Sequence, residues 1–128
     1  MNSIIIVSLE HRDKEEILKK IIEFGKRNKF RIIPEEQVAL LGNLALCKEI
    51  DDNHSNYLEF SITEKDDFKT QHISNSREIN GKRYYFFMGI NFNKGNETTH
   101  SMNEFLNEIL SDYPDMLVTE EACEDFYS

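Results

Sequence analysis

Asn80-Gly81 constrains this chain more than any other pair of residues. A two-residue type I′ connection needs positive φ at both central positions, and Asn followed by Gly adopts it at least cost. The pair stands between Gln71 to Ile79 and Lys82 to Asn93, so those segments are predicted to form an antiparallel hairpin. In the second arm Tyr84, Phe86, Met88, Ile90 and Phe92 alternate with Tyr85 and Phe87. Apolar residues on both faces predict a central strand, with Gly89 as the site of a bulge.

The remaining elements follow from period and punctuation. Asn2 to Leu9 carries Ile4, Ile5, Ile6 and Val7 in succession, the pattern of a strand covered on both faces. Asp13 and Glu16 have capping-box spacing, and Ile17, Leu18, Ile21 and Ile22 fall on one face, predicting a helix over 13–28 with Asn28 as its left-handed cap. Phe30 to Ile33 reads as a short strand stopped by Pro34. Over Val38 to Ile50, Gly42-Asn43 favours a two-residue hairpin whereas Ala and Leu favour a helix. Tyr57 to Thr63 alternates, with Leu58, Phe60 and Ile62 inward and Glu59, Ser61 and Thr63 toward water. Ser101 and Glu104 have capping-box spacing at the head of a second helix, whose stripe is Met102, Phe105, Leu106, Ile109 and Leu110. Asp115 to Thr119 makes a last strand, and Glu120 to Ser128 is an acidic tail. The predicted order is β-α-β-(ββ)-β-β-β-α-β: an α+β fold, a mostly antiparallel sheet with both amphipathic helices packed on one face. Its predicted core contains Ile4, Ile6, Ile17, Ile21, Phe60, Ile62, Phe86, Met88, Ile90, Phe105, Leu106 and Ile109.

A length of 128 residues with no repeat or internal linker fits one domain over 1–128, large enough to hold itself together without metal or disulfides. Ile4 to Leu9 is too short for a signal-peptide core, and no run approaches the roughly 20 apolar residues of a membrane span, so a cytoplasmic location is expected. There, Cys47 and Cys123 are expected as reduced thiols. Neither has a partner base named by a motif, and acidic neighbours would hold the Cys123 thiol in its unreactive protonated form. His11, His54, His72 and His100 lie in four separate segments without metal-ligand spacing and read as exposed polar residues. Asp51-Asp52 and Asp66-Asp67 lack the alternating ligands of a calcium loop, and no phosphate-binding glycine loop occurs. The expectation is a protein with no metal, no cofactor and no turnover.

Charge is the feature with organisation. Acids against bases number five to eight over residues 1–34, nine to two over 35–68, two to five over 69–103 and eight to none over 104–128, for a net charge of −9. Segment values of +3, −7, +3 and −8 describe segregation rather than mixing. An acidic field repels phosphate backbones, which argues against direct nucleic-acid binding. Carboxylates interleaved with aromatics suit a basic protein partner, because charge steers the encounter and aromatics supply buried anchors. The residues this selects are Asp51, Asp52, Asp66, Asp67, Glu120, Glu121, Glu124, Asp125, Phe126 and Tyr127, in predicted loops or the tail, where an interface can form without disturbing the core. For 120–128 alone, a frayed solubilising tail explains the composition equally well.

The strand Ile4 to Leu9 leading into helix 13–28, the antiparallel middle, the helix with Met102-Asn103-Glu104-Phe105-Leu106 and the acidic-aromatic end together resemble the small acidic immunity proteins of bacterial polymorphic-toxin and contact-dependent growth-inhibition systems. The resemblance implies a cytosolic, non-enzymatic protein that neutralises one cognate toxin, often a basic nuclease, by covering an essential surface. Two other classes stay open: an acidic mimic occupying the nucleic-acid groove of a host or phage-defence enzyme, and a small-molecule-binding or weakly enzymatic α+β domain.

Overall fold

The computed structural model describes residues 2–38, 42–52, 54–63, 77–79 and 81–119. Six strands form one sheet: β1 (Asn2–Ser8), β2 (Arg31–Pro34), β3 (Leu44–Asp51), β4 (His54–Thr63), β7 (Phe86–Phe92) and β8 (Leu117–Thr119), in the order β2-β3-β4-β7-β1-β8. Every neighbouring pair is antiparallel. Between β4 and β7, β5 (Arg77–Ile79) and β6 (Lys82–Tyr84) make a separate two-stranded ribbon. Helix α1 (Lys14–Arg27) follows β1, and α2 (Asn96–Asp112) follows β7. This is the expected α+β fold.

Register explains the core. Ile4, Ile90 and Phe60 share one row across the sheet, as do Ile6, Met88 and Ile62, so the inward phases of three strands meet on one face. Against it pack Ile17, Ile21 and Phe24 of α1 and Met102, Phe105 and Ile109 of α2, all buried in one cluster. Both helices therefore lie on the same face, as expected. The Phe105 ring sits edge-on to Phe24 at 5.4 Å and to Phe60 at 5.0 Å. Lys20 pairs with Asp112 and Arg27 with Glu108, which sets the helices side by side and antiparallel. Of the predicted core, Leu106 alone is half-buried, packed against the cluster's rim. The opposite face is apolar too: Ile33, Ala45 and Cys47 cluster there with Val38 and Tyr57, and Ile5, Val7 and Phe87 are also buried.

Several boundaries differ from the sequence expectation, each because a long-range partner displaces a local signal. Gly42-Asn43 is not a hairpin turn, and 38–50 is not a helix. β2 and β3 are joined through a 3-10 turn at Glu35–Gln37, and the chain passes Gly42 to enter β3. Asn43 extends the pairing with β4, its backbone N–H donating to Phe60 O at 2.7 Å and its Oδ1 accepting from Ile62 N at 2.7 Å. Gly42 is needed for a close approach: a Cβ there would lie 2.5 Å from Glu59 Cγ. Glu59, expected to face water, is buried, and Tyr57 Oη donates to its Oε1 at 2.6 Å.

Asn80 itself lies outside the described residues; around the expected turn Ile79 pairs with Lys82 and Gly81 has φ 80°, as a hairpin there requires. Its second arm is not continuous: Tyr85 N donates to Ser8 O at 2.9 Å, dividing the arm into β6 and β7. Residues 71–76 lie outside the described residues. Gly89 is no bulge, pairing in register with Ile5 and Ser61; the irregularity falls in β3 between Glu49 and Asp51.

The helix caps differ as well. Asp13 makes no side-chain cap, and Glu16 instead accepts from Tyr113 Oη at 2.6 Å. The left-handed residue after α1 is Lys29, at φ 63°, rather than Asn28. α2 begins at Asn96, five residues before Ser101, whose Oγ accepts from Asn56 Nδ2 at 2.8 Å rather than capping. Its first turn is polar, with Thr98 the buried residue, carries almost no apolar period and so reads as loop in the sequence.

Candidate functional site

Of the ten residues selected from charge, the described structure contains Asp51 and Asp52; Asp66, Asp67, Glu120, Glu121, Glu124, Asp125, Phe126 and Tyr127 lie outside the described residues. Asp51 and Asp52 stand at the tip of the β3–β4 hairpin. β4 leaves β7 at the Leu58–Phe92 pair while its pairing with β3 continues to Asp51–His54, so the tip projects beyond the six-stranded sheet. Polar side chains secure its root. Asn93 Oδ1 accepts from Tyr57 N at 2.9 Å and from Thr98 Oγ1 at 3.0 Å, and its Nδ2 donates to Ser55 O. Asn56, buried, ties the same arm to Ser101 and to Glu97 O in α2.

The register shift between Glu49 and Asp51 brackets Ile50, a large aliphatic side chain left 40% exposed among carboxylates. Glu49, Ile50, Asp51, Asp52, His54 and Ser55 line a shallow recess. His54 Nδ1 lies 2.8 Å and 3.0 Å from the two oxygens of Asp51, orienting that carboxylate at the rim. Such a surface holds an apolar anchor ringed by negative charge. The other end of β4, at Thr63, lies at the far end of the strand from the Asp51-Asp52 tip.

A second polar constellation, not apparent in the sequence, joins the β1–α1 and α2–β8 connections. Asp115 accepts from Ser8 Oγ and from Arg12 Nη2, and Ser8 Oγ also accepts from Glu10 N at 3.2 Å. The Arg12 guanidinium lies over the Tyr113 ring at 4.6 Å. Burial and the hydrogen bond to Glu16 push the Tyr113 phenol up to about 12. Asp112 raises the Lys20 ammonium through its hydrogen bond, and Glu108 likewise raises the Arg27 guanidinium. Every group here has an internal partner, so the constellation fastens two loops rather than presenting a reactive atom. Its residues lie about a hundred positions apart, and no local motif could have announced them.

The remaining chemistry-bearing residues stay separate. Cys47 is a free, buried thiol, while Cys123 and His72 lie outside the described residues. His11 packs against Tyr85, and His100 pairs with Glu104 one turn along α2. Among the described residues no group of three or more His, Cys, Asp or Glu side chains could hold a metal ion, and no helix is long and apolar enough to cross a membrane. Comparison with family models, curated proteins and solved structures gives no match.

Proposed function

We propose that this chain is a non-enzymatic, immunity-type inhibitor that binds and neutralises a basic toxin domain, a nuclease foremost, in the cytoplasm. The observation that carries the reading is Ile50, exposed at a projecting hairpin tip and flanked by Glu49, Asp51 and Asp52. Interfaces of this kind put an apolar anchor at the centre and complementary charge at the rim, and the net charge of −9 extends the steering field beyond the rim. Capture from the native cell on immobilised protein, with the partner identified by mass spectrometry and then purified, supplies the reagent for the test. In stopped-flow association, Asp51→Asn with Asp52→Asn, and separately removal of 120–128, should slow the on-rate and flatten its salt dependence, while Ile50→Ala should chiefly raise the off-rate. Association rates indifferent to those changes and to ionic strength refute it.

A further inference from the structure

The two edges of the sheet are built differently. β2, at one edge, ends in Pro34, which has no backbone N–H to offer a neighbouring strand, and exposed Lys29, Arg31, Glu35 and Glu36 surround it. Proline and charge are the usual means of keeping an edge from pairing with a foreign strand. β8, at the other edge, is Leu117-Val118-Thr119, without charge or proline. Leu117 is 46% and Val118 39% exposed, and Leu9, leaving β1 two residues beyond the Val7–Leu117 pair, is 38% exposed. Three of the four large apolar side chains exposed among the described residues thus gather at this one edge. Among those residues no strand pairs with the outer side of β8.

We infer that β8 is an acceptor edge, on which an extended, basic segment of a protein partner adds as a seventh strand. The inference rests on the inhibitor reading for the partner's charge and goes beyond it in naming the surface and the mode of recognition. Main-chain hydrogen bonds to β8 supply affinity, and Leu117 and Val118, on opposite faces of the strand, supply apolar contact to alternate side chains of the incoming segment. Charge selects the occupant. The chain carries a net charge of −9, and exposed Glu10, 3.5 Å from Arg12, stands beyond one end of the edge. Asp115 is already engaged by Arg12. A second copy of this chain would bring the same carboxylates and another net charge of −9, so like charges would meet.

The test uses the intact protein and a synthetic peptide of alternating lysine and valine, beside the same peptide N-methylated at alternate amides and a glutamate-valine peptide. Amide exchange by NMR should show the amides among Leu117, Val118 and Thr119 that point away from β1 newly protected by the lysine peptide at concentrations up to about 1 mM, and both control peptides should bind at least about tenfold more weakly. Unchanged exchange at β8 overturns the inference, as does equal binding of the N-methylated peptide. Protection that grows with protein concentration in the absence of peptide assigns the edge to a second copy and overturns it too. Leu117→Lys with Val118→Lys, at unchanged melting temperature, should abolish the peptide effect. If this double variant captures a cellular partner as well as the parent does, the edge inference fails and the inhibitor reading stands. If the lysine peptide adds at β8 but no basic protein is captured, the reverse holds.

Discussion

Replacing Phe105 with Ala removes the ring on which the two layers of the core converge. Phe105 is 2% exposed, with the Phe24 ring 5.4 Å away on the neighbouring helix and the Phe60 ring 5.0 Å away on the sheet. Loss of transfer free energy plus the cavity left behind costs about 3–5 kcal/mol for a buried aromatic, within which two edge-on pairs account for about 1–3 kcal/mol. With an unfolding entropy of about 2.1 cal/mol/K per residue, a chain of 128 residues changes its melting temperature by roughly 4 °C per kcal/mol. Phe105→Ala should therefore lower the Tm by about 11–19 °C in calorimetry and shift the urea midpoint without changing the m-value. Leu106→Ala, one residue along but half-buried at the cluster's rim, is the control and should cost clearly less. Equal losses from the two, or a fall of under about 4 °C for Phe105→Ala, would refute the convergence of both helices on this ring.

Asp115→Ala leaves the Arg12 guanidinium, 18% exposed, with Ser8 and the exposed Glu10 carboxylate at 3.5 Å as its remaining partners, and should cost about 1–3 kcal/mol in urea titration. The more exposed pair cut by Arg27→Gln should cost under about 1 kcal/mol, and a reversed order would contradict the burial of the Arg12 clamp. Ultraviolet titration should find one tyrosine ionising near 12, absent in Tyr113→Phe. Because the folded state holds that proton more tightly than the unfolded chain, the associated stability is complete below about pH 10 and is lost as pH rises toward 12. Gly42→Ala drives a Cβ to 2.5 Å from buried Glu59 and should destabilise by about 1–3 kcal/mol, whereas Gly89→Ala, whose Cβ meets nothing within 4 Å, should be neutral or stabilising by up to about 1 kcal/mol.

The parts of the fold legible in the sequence are those where one short-range rule acts alone. Alternation at Leu58, Phe60 and Ile62 marks β4 because one face of that strand meets two helices. Gly81 marks the turn between β5 and β6 because its positive φ is a backbone demand that few residues satisfy. Legibility fails where a distant group changes a local preference. The same alternation places Glu59 in water, yet its face is also covered, so the carboxylate is buried beside Tyr57. Asp13 with Glu16 has the spacing of a cap, yet Tyr113, 97 residues on, takes the Glu16 carboxylate. Within the candidate site Asp51 and Asp52 are legible as charge, whereas the exposure of Ile50 depends on a shift of register against β4.

Charge itself changes meaning between chain and fold. In the sequence, residues 1–34 carry +3 and residues 104–128 carry −8, which suggests a molecule with separated poles. In the structure the two segments are folded against each other: Arg12 reaches Asp115, Lys20 reaches Asp112 and Arg27 reaches Glu108. Glu104 has His100, so each described carboxylate of the last segment already has a partner inside the chain. The basic face of α1 thus neutralises α2, and a cationic partner would meet little net field over the helices. At the hairpin tip Asp51 faces His54, charged only when protonated, and Asp52 and Glu49 border the same recess on exposed backbone. Folding therefore narrows a diffuse excess of acid to a few places, and exposed Ile50 sits in one of them. Substitutions that unpair the helix carboxylates, such as Lys20→Gln with Arg27→Gln, should consequently add steering toward the helix face and raise the on-rate of a basic partner without changing its off-rate from the hairpin tip.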